Sequence, residues 1–231
     1  MTDAPFLTAK FSTRRQLLKL GAGIGASIAL WSAPAIAATG PVLTRAIPRS
    51  GERLPVVGLG TAVIFDIGDD AAKRTERRAV IETLLDGGGR VIDTAPSYGT
   101  AESVVGDLLS SMAVRDKVFL ATKVRAAGPG ASIAEMQQSL QRLHTSKVDL
   151  MQLHNVGTNI SDAAGQIALL REWKDKGFSR YIGVTHFQEG ANERLIELMR
   201  REKLDFVQAN YSMAERSVEQ RLLPAAAETG T

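Results

Sequence analysis

Asp93, Tyr98, Lys123 and His154 are residue types that could share one piece of chemistry. Each stands at or just past the end of a short apolar run. Asp93 ends Arg90-Val-Ile-Asp93, and Tyr98 follows in Asp93-Thr-Ala-Pro-Ser-Tyr98-Gly99. Lys123 ends Val118-Phe-Leu-Ala-Thr-Lys123, and His154 ends Asp149-Leu-Met-Gln-Leu-His154. If these runs are successive parallel strands, all four side chains gather at one mouth of a sheet. A tyrosine beside a lysine can act as an acid near neutral pH, because the positive charge favours the tyrosinate form. Asp93 is suited to pair with Lys123 and hold it in place. His154 is suited to donate a hydrogen bond to a substrate oxygen and orient it. A carbonyl that receives a hydride needs a proton on its oxygen, and this group can supply one. Hydride transfer from a nicotinamide cofactor, NADPH or NADH, to a small carbonyl compound is therefore the chemistry the set suits.

Singly, each residue has an ordinary structural explanation. Asp93 could cap a loop, Lys123 could be an ion-pair partner, His154 a satisfied core histidine and Tyr98 a packing residue in a turn. Their order, at the ends of three consecutive strand-like runs, favours the chemical reading. Other chemistries find less support. There is no cysteine, which excludes disulfides, thiolate metal sites and a Cys nucleophile. The three histidines (His144, His154, His186) lack the spacing of a helical zinc pair. There is no serine–histidine–carboxylate arrangement and no G-x-x-x-x-G-K-[ST] phosphate loop.

The elements that must position these residues can be read from periodicity. Thr44 to Val56 reads as a β-hairpin with a turn at Pro48-Arg-Ser-Gly51-Glu52. Beyond it, strand candidates are 56–60, 90–94, 117–124, 148–154, 181–185 and 205–210. They are short and rich in Val, Ile and Leu, as parallel strands buried on both faces should be. Amphipathic helices are expected between and after them, at 74–85, 102–112, 132–143, 163–176, 191–201 and 218–228. Repeated βα units of this size imply a parallel sheet with right-handed crossovers. Functional residues spread over several strand ends favour a TIM (β/α)8 barrel over an open doubly wound sheet, which would concentrate its ligand at one switch point. About six βα units can be counted.

Charge and the N-terminus belong together. The chain carries 28 Lys and Arg against 25 Asp and Glu. Residues 1–37 hold Lys10, Arg14, Arg15 and Lys19 with a single acid, Asp3, so the remaining 24 basic and 24 acidic residues balance. The basicity belongs to the N-terminal segment, and no nucleic-acid partner is expected. Thr13-Arg14-Arg15-Gln16-Leu17-Leu18-Lys19 precedes an uncharged, glycine-diluted run from Leu20 to Thr44, with Ala35-Ile36-Ala37 as a cleavage site. This resembles a twin-arginine export signal, and it implies the export machinery as a partner and the periplasm as the destination. Pro34, Pro41 and the glycines argue against an uncleaved membrane anchor. Gly21-Ala-Gly23-Ile-Gly-Ala26 matches a dinucleotide fingerprint but lacks the strand that must precede one. Residues 38–231 are assigned to the barrel.

The motifs now extend beyond the first four residues. Leu54-Pro-Val-Val-Gly58-Leu-Gly60-Thr61, Val91-Ile-Asp93-Thr-Ala-Pro-Ser-Tyr98-Gly99, Ala121-Thr-Lys123, Asp149-Leu-Met-Gln-Leu-His154, Gly183-Val-Thr-His186-Phe and Phe206-Val-Gln208-Ala-Asn-Tyr-Ser212 occur in that order. From about residue 43 on, the chain resembles an aldo-keto reductase. The resemblance implies a (β/α)8 barrel closed at the bottom by the hairpin, and NAD(P)H-dependent reduction of aldehydes or ketones. It implies Tyr98 as proton donor, Lys123 and Asp93 as its tuning pair, and His154 as the residue orienting the carbonyl. It places Gly60, Thr61 and Gln208 near the nicotinamide. Thr185-His186 stands where many members have Ser-Asn holding the carboxamide, and a histidine can still donate that hydrogen bond.

The sequence also departs from its family. Two further βα units, which in the family carry an aromatic on the nicotinamide and a basic phosphate-binding loop, are not found up to Thr231. The expectation is a fragment of a longer protein, with outer strands left unpaired and cofactor binding weakened. An export route that carries folded proteins implies a cofactor bound before export and held tightly. Two alternatives stand beside the reductase: a nicotinamide-cofactor-binding sensor or scaffold with little turnover, and an inactive fragment.

Overall fold

The computed structural model describes residues 42–125, 128–156 and 163–231. The export signal over residues 1–37 and the Gly21–Ala26 motif lie outside the described residues. The hairpin pairs β1 (Thr44–Ala46) with β2 (Arg53–Pro55), antiparallel, with Thr44 opposite Pro55. Its turn is closed by the Ile47 N–H donating to the Glu52 carbonyl at 2.8 Å.

The main sheet follows as β3 (Gly58–Gly60), β4 (Val91–Asp93), β5 (Phe119–Val124), β6 (Val148–Leu153), β7 (Ser179–His186) and β8 (Phe206–Ala209). All neighbours are parallel, and spatial order equals sequence order. The intervening helices are α1 (Ala71–Asp86), α2 (Ala101–Ser111), α3 (Pro129–Arg142), α4 (Ala163–Asp175) and α5 (Asn192–Glu202), and α6 (Leu222–Thr229) follows β8. Strictly sequential parallel strands with helices between them form part of a (β/α)8 barrel. The sheet is curled: Gln208 on β8 reaches back to Asp93 on β4, with Nε2 3.2 Å from Oδ2.

Alternation along each strand divides the core in two. Leu120 and Val124 on β5, Met151 and Leu153 on β6, and Ile182 and Val184 on β7 point outward. They pack with Val105, Leu109, Met136, Ile167, Leu170 and Met199 of the helices in one large cluster. The residues between them face the concave side. There Phe119, Ala121, Leu150 and Tyr181 form a second cluster with Ile47 of the hairpin, joined by Val91 and Phe206. The hairpin thus closes the N-terminal end of the sheet. Tyr181 Oη, 2.6 Å from Glu52 Oε2 and 2.8 Å from Ser50 Oγ, ties it down.

Most element boundaries shift by one to three residues from the sequence reading, and at three of them the cause is visible. β3 begins at Gly58, because Val56 still belongs to the hairpin region, donating its N–H to Leu43 O at 3.0 Å. α1 begins at Ala71 because the Asp70 side chain accepts the Lys73 N–H, a cap that lies outside any apolar periodicity. The last helix begins at Leu222. In a helix from 218, Pro224 would have no N–H for the Gln220 carbonyl and its ring would press on it. The helix instead keeps Pro224 in its first turn, after a separate 3-10 turn at Ser217–Glu219.

Candidate active site

Strand alternation that puts Phe119 and Ala121 inside puts Lys123 inside too, at the C-terminal end of β5. By the same rule Asp93, Gln152, Thr185 and Gln208 end the inner faces of their strands. Lys123 is 1% exposed. Its Nζ donates to Asp93 Oδ2 at 2.6 Å and to the Thr94 carbonyl at 2.9 Å. Asp93 lies diagonally from Lys123, since Ala121 is its register partner. Its carboxylate also accepts from Gln152 Nε2 at Oδ1 and from Gln208 Nε2 at Oδ2, each at 3.2 Å. A buried ion pair is sustained only when its remaining hydrogen-bonding capacity is filled, and the two amides fill it.

Tyr98 sits in the turn after β4. Gly99 holds φ at +59°, and a Cβ there would lie 2.3 Å from the Asp66 carboxylate. That carboxylate accepts both the N–H and the hydroxyl of Thr100 at 2.9 Å, which holds the Asp66 carboxyl below its usual range. Asp66 therefore anchors the turn that presents the tyrosine. Lys123 Nζ stands 5.0 Å from the centroid of the Tyr98 ring, over its face. The Tyr98 hydroxyl, on the cavity wall, has no hydrogen-bond partner among the described residues.

His154 meets the Tyr98 ring edge-on, with centroids 5.9 Å apart. Its backbone N–H continues the β5–β6 ladder by donating to Val124 O at 2.8 Å. Burial, followed by the charges of Lys123 and Arg125 and by His186, lowers its pKa to about 4. The ring is neutral at pH 7, and its Nδ1 is buried without a partner among the described residues.

Across the cavity, Thr185 Oγ1 accepts the Asn155 N–H at 3.1 Å and keeps its own proton to give. His186 Nδ1 accepts the Gln188 N–H at 2.9 Å. In the neutral ring the proton must then sit on Nε2. That nitrogen is buried and without a partner among the described residues, and burial lowers the His186 pKa. Phe187 stacks on the His186 ring at 5.4 Å.

Tyr98, His154, Thr185, His186 and Gln208 line one cavity of about 590 Å³. Asp93 and Lys123 are joined to it through Gln208 and the Tyr98 ring. Gly60 and Thr61 do not line it. Gly60 is the register partner of Asp93, and Thr61 is fully buried, with its N–H and hydroxyl both donating to the Asp93 carbonyl at 3.0 Å. The sequence reading missed Gln152, which lies two residues before His154 on the same face of β6. It also missed Arg125, Asn155 and Asn210 in the cavity wall. Arg125 is two residues past Lys123, so period-2 counting would have flagged both Arg125 and Gln152.

Residues 56–231 match the model of the Aldo/keto reductase family. The chain belongs to this family. It is 33% identical over 187 residues to the aldo-keto reductase YhdN of Bacillus subtilis, covering 74% of this chain and 54% of that protein. It is 33% identical over 175 residues to the methylglyoxal reductase YeaE of Escherichia coli, covering 74% of this chain and 59% of that protein. The structure superimposes on a Klebsiella pneumoniae aldo-keto reductase in complex with NADPH with a TM-score of 0.68 and 28% identity, covering 78% of this chain and 62% of that one. The chain thus spans a little over half the length of the relatives it matches.

Proposed function

We propose that this aldo/keto reductase reduces an aldehyde or ketone to the alcohol with NADPH or NADH, and that Tyr98 gives the carbonyl oxygen its proton. The observation that carries the reading is the Tyr98 hydroxyl, without a hydrogen-bond partner among the described residues, in the same cavity as a neutral His154 and with the Lys123 ammonium over its ring. When bound, the nicotinamide cofactor supplies a hydride. Its carboxamide suits the donors on β7 and β8: the Thr185 hydroxyl, the orphaned His186 Nε2–H and the Gln208 amide. Gly60 and Thr61 support the same end from β3 by holding the Asp93 backbone.

The remaining work falls to this chain's own side chains. His154, neutral at pH 7, gives one N–H to the carbonyl oxygen and fixes its direction. Tyr98 releases its proton to that oxygen. The negative charge left on the phenol lies close to Lys123, in a site where little water screens it. Asp93, Gln152 and Gln208 keep the ammonium in place without consuming its charge in a second acid. The test is oxidation of NADPH and NADH by the purified protein in the presence of small aldehydes. Aldehyde-dependent oxidation is expected with at least one cofactor, and its absence with both would contradict the proposal.

We also propose that residues 1–37 direct twin-arginine export and that the protein acts in the periplasm. The paired Arg14 and Arg15, the weakly apolar run and Ala35-Ile36-Ala37 support this. A mature N-terminus at Ala38 in the periplasmic fraction is expected, and Arg14→Lys with Arg15→Lys should hold the protein in the cytoplasm. Equal export of that double variant would count against it.

A further inference from the structure

The reduction proposed above leaves the rest of the substrate undefined, and the charges around the cavity narrow it. Lys123 and Asp93 form an ion pair and largely cancel. His154 and His186 are neutral at pH 7, because burial disfavours their charged forms. No carboxylate lines the cavity among the described residues. Among the described residues one cation remains in the wall, Arg125.

Arg125 engages its backbone N–H, which donates to Glu135 Oε2 at 2.6 Å. Its guanidinium makes no hydrogen bond or ion pair among the described residues. An arginine on an open surface commonly has no fixed partner and needs no explanation. Here a guanidinium without a partner among the described residues borders a cavity whose other described lining groups are neutral, and its charge reaches His154. The strand order fixes which side of the cavity it occupies. Arg125 directly follows β5, next to β4 with its Tyr98 turn and to β6 with His154. His186 and Gln208, the groups suited to the cofactor, stand on β7 and β8. The cation is therefore on the side of the carbonyl-directing groups.

We infer that the physiological carbonyl compound carries an anionic group, a carboxylate or a phosphate ester, which Arg125 binds while Tyr98 and His154 engage the carbonyl; this rests on the carbonyl-reductase reading. A guanidinium presents a planar fork of donors that matches either anion. The Glu135 carboxylate, which accepts the Arg125 backbone N–H, does not line the cavity, and a described lining without an acid draws anions in preference to neutral compounds.

The experiment compares kcat/KM within two pairs that differ in charge and keep the aldehyde. These are 4-carboxybenzaldehyde against methyl 4-formylbenzoate, and glyceraldehyde 3-phosphate against glyceraldehyde. The anionic member of at least one pair should be preferred by about tenfold, the scale of a hydrogen bond to a charged group. Which pair shows the preference identifies carboxylate or phosphate as the anion. Arg125→Gln should remove most of the preference, and Arg125→Lys, which keeps the charge, should retain part of it. Because Arg125 is exposed, neither change disturbs the core. Neutral aldehydes reduced with no preference for the anionic partners, or a preference that survives in Arg125→Gln, would overturn the inference and leave the reductase reading intact. Failure to reduce any of the four would overturn both.

Discussion

The two ends of the sheet's inner face are built from the same strands and differ in what they leave unfinished. At the hairpin end, Phe119, Tyr181 and Phe206 pack with ring centroids 5.6 to 5.9 Å apart, and the hairpin's Ile47 covers them. The polar atom in that cluster, Tyr181 Oη, is satisfied. A few residues further along, Asp93, Lys123, Gln152 and Gln208 replace apolar side chains, and the groups around them keep unused hydrogen-bonding capacity. Tyr98 Oη has no partner among the described residues, and neither have His154 Nδ1 and His186 Nε2. A buried polar atom without a partner costs free energy in the unliganded protein. At the polar end a ligand can remove that cost for His154 Nδ1 and His186 Nε2, whereas Ser179 Oγ, buried at the start of β7, bears it outside the cavity. The other end supplies the packing that tolerates it.

Substitutions at the two ends should therefore separate stability from chemistry. The largest loss of stability is expected from Phe119→Ala, about 3–5 kcal/mol by chemical denaturation, because it opens a cavity under the hairpin. Lys123→Met should follow closely, at about 3 kcal/mol, because it leaves the part-buried Asp93 carboxylate without its cation, held only by two amides. Unlike Phe119→Ala, it should also abolish turnover in whatever fraction remains folded. A smaller effect, about 1 kcal/mol, is expected for Tyr181→Phe, which unties the hairpin without emptying the core. If Tyr181→Phe lowered turnover more than stability, the two ends would not be separable in this way.

The pH dependence of stability sharpens the same comparison. The folded protein holds His154 at a pKa of about 4, well below the ordinary histidine value of 6.5. Between these values the unfolded chain binds more protons than the folded one, so stability rises with pH. The contribution is complete above pH 6.5 and is lost as pH falls towards 4. Urea midpoints measured across that window should fall with acidification, and the fall should be shallower in His154→Gln. Equal slopes would mean that His154 is not held neutral by the fold.

Much of this arrangement is legible in the amino-acid sequence, for reasons that also mark where legibility stops. Parallel strands covered on both faces, as β5 to β7 are, read as apolar runs, and the shorter, half-buried β4 and β8 share that composition, so Asp93, Lys123 and His154 are conspicuous at the strand ends. Tyr98 is visible because it follows at short range within the next turn. Gln152 is not, since it lies inside its run and has no acid–base chemistry of its own. Its role appears only when three strands bring it to the Asp93 carboxylate. The His186 tautomer is equally hidden, because it depends on which backbone N–H meets Nδ1. The start of α1 rests on one capping carboxylate, and that of α6 on a proline's missing N–H. Neither disturbs the apolar period that reveals a helix.

The most direct test of the account is Tyr98→Phe, with kcat/KM and unfolding free energy measured on the same preparation. The hydroxyl bonds to nothing in the described protein, so its removal should leave stability within about 0.5 kcal/mol. Carbonyl reduction should fall by about 100-fold or more, the scale of a lost proton donor. Turnover within a few-fold of the unsubstituted protein, at unchanged stability, would contradict the central claim that the polar end of the sheet is organised around the Tyr98 proton.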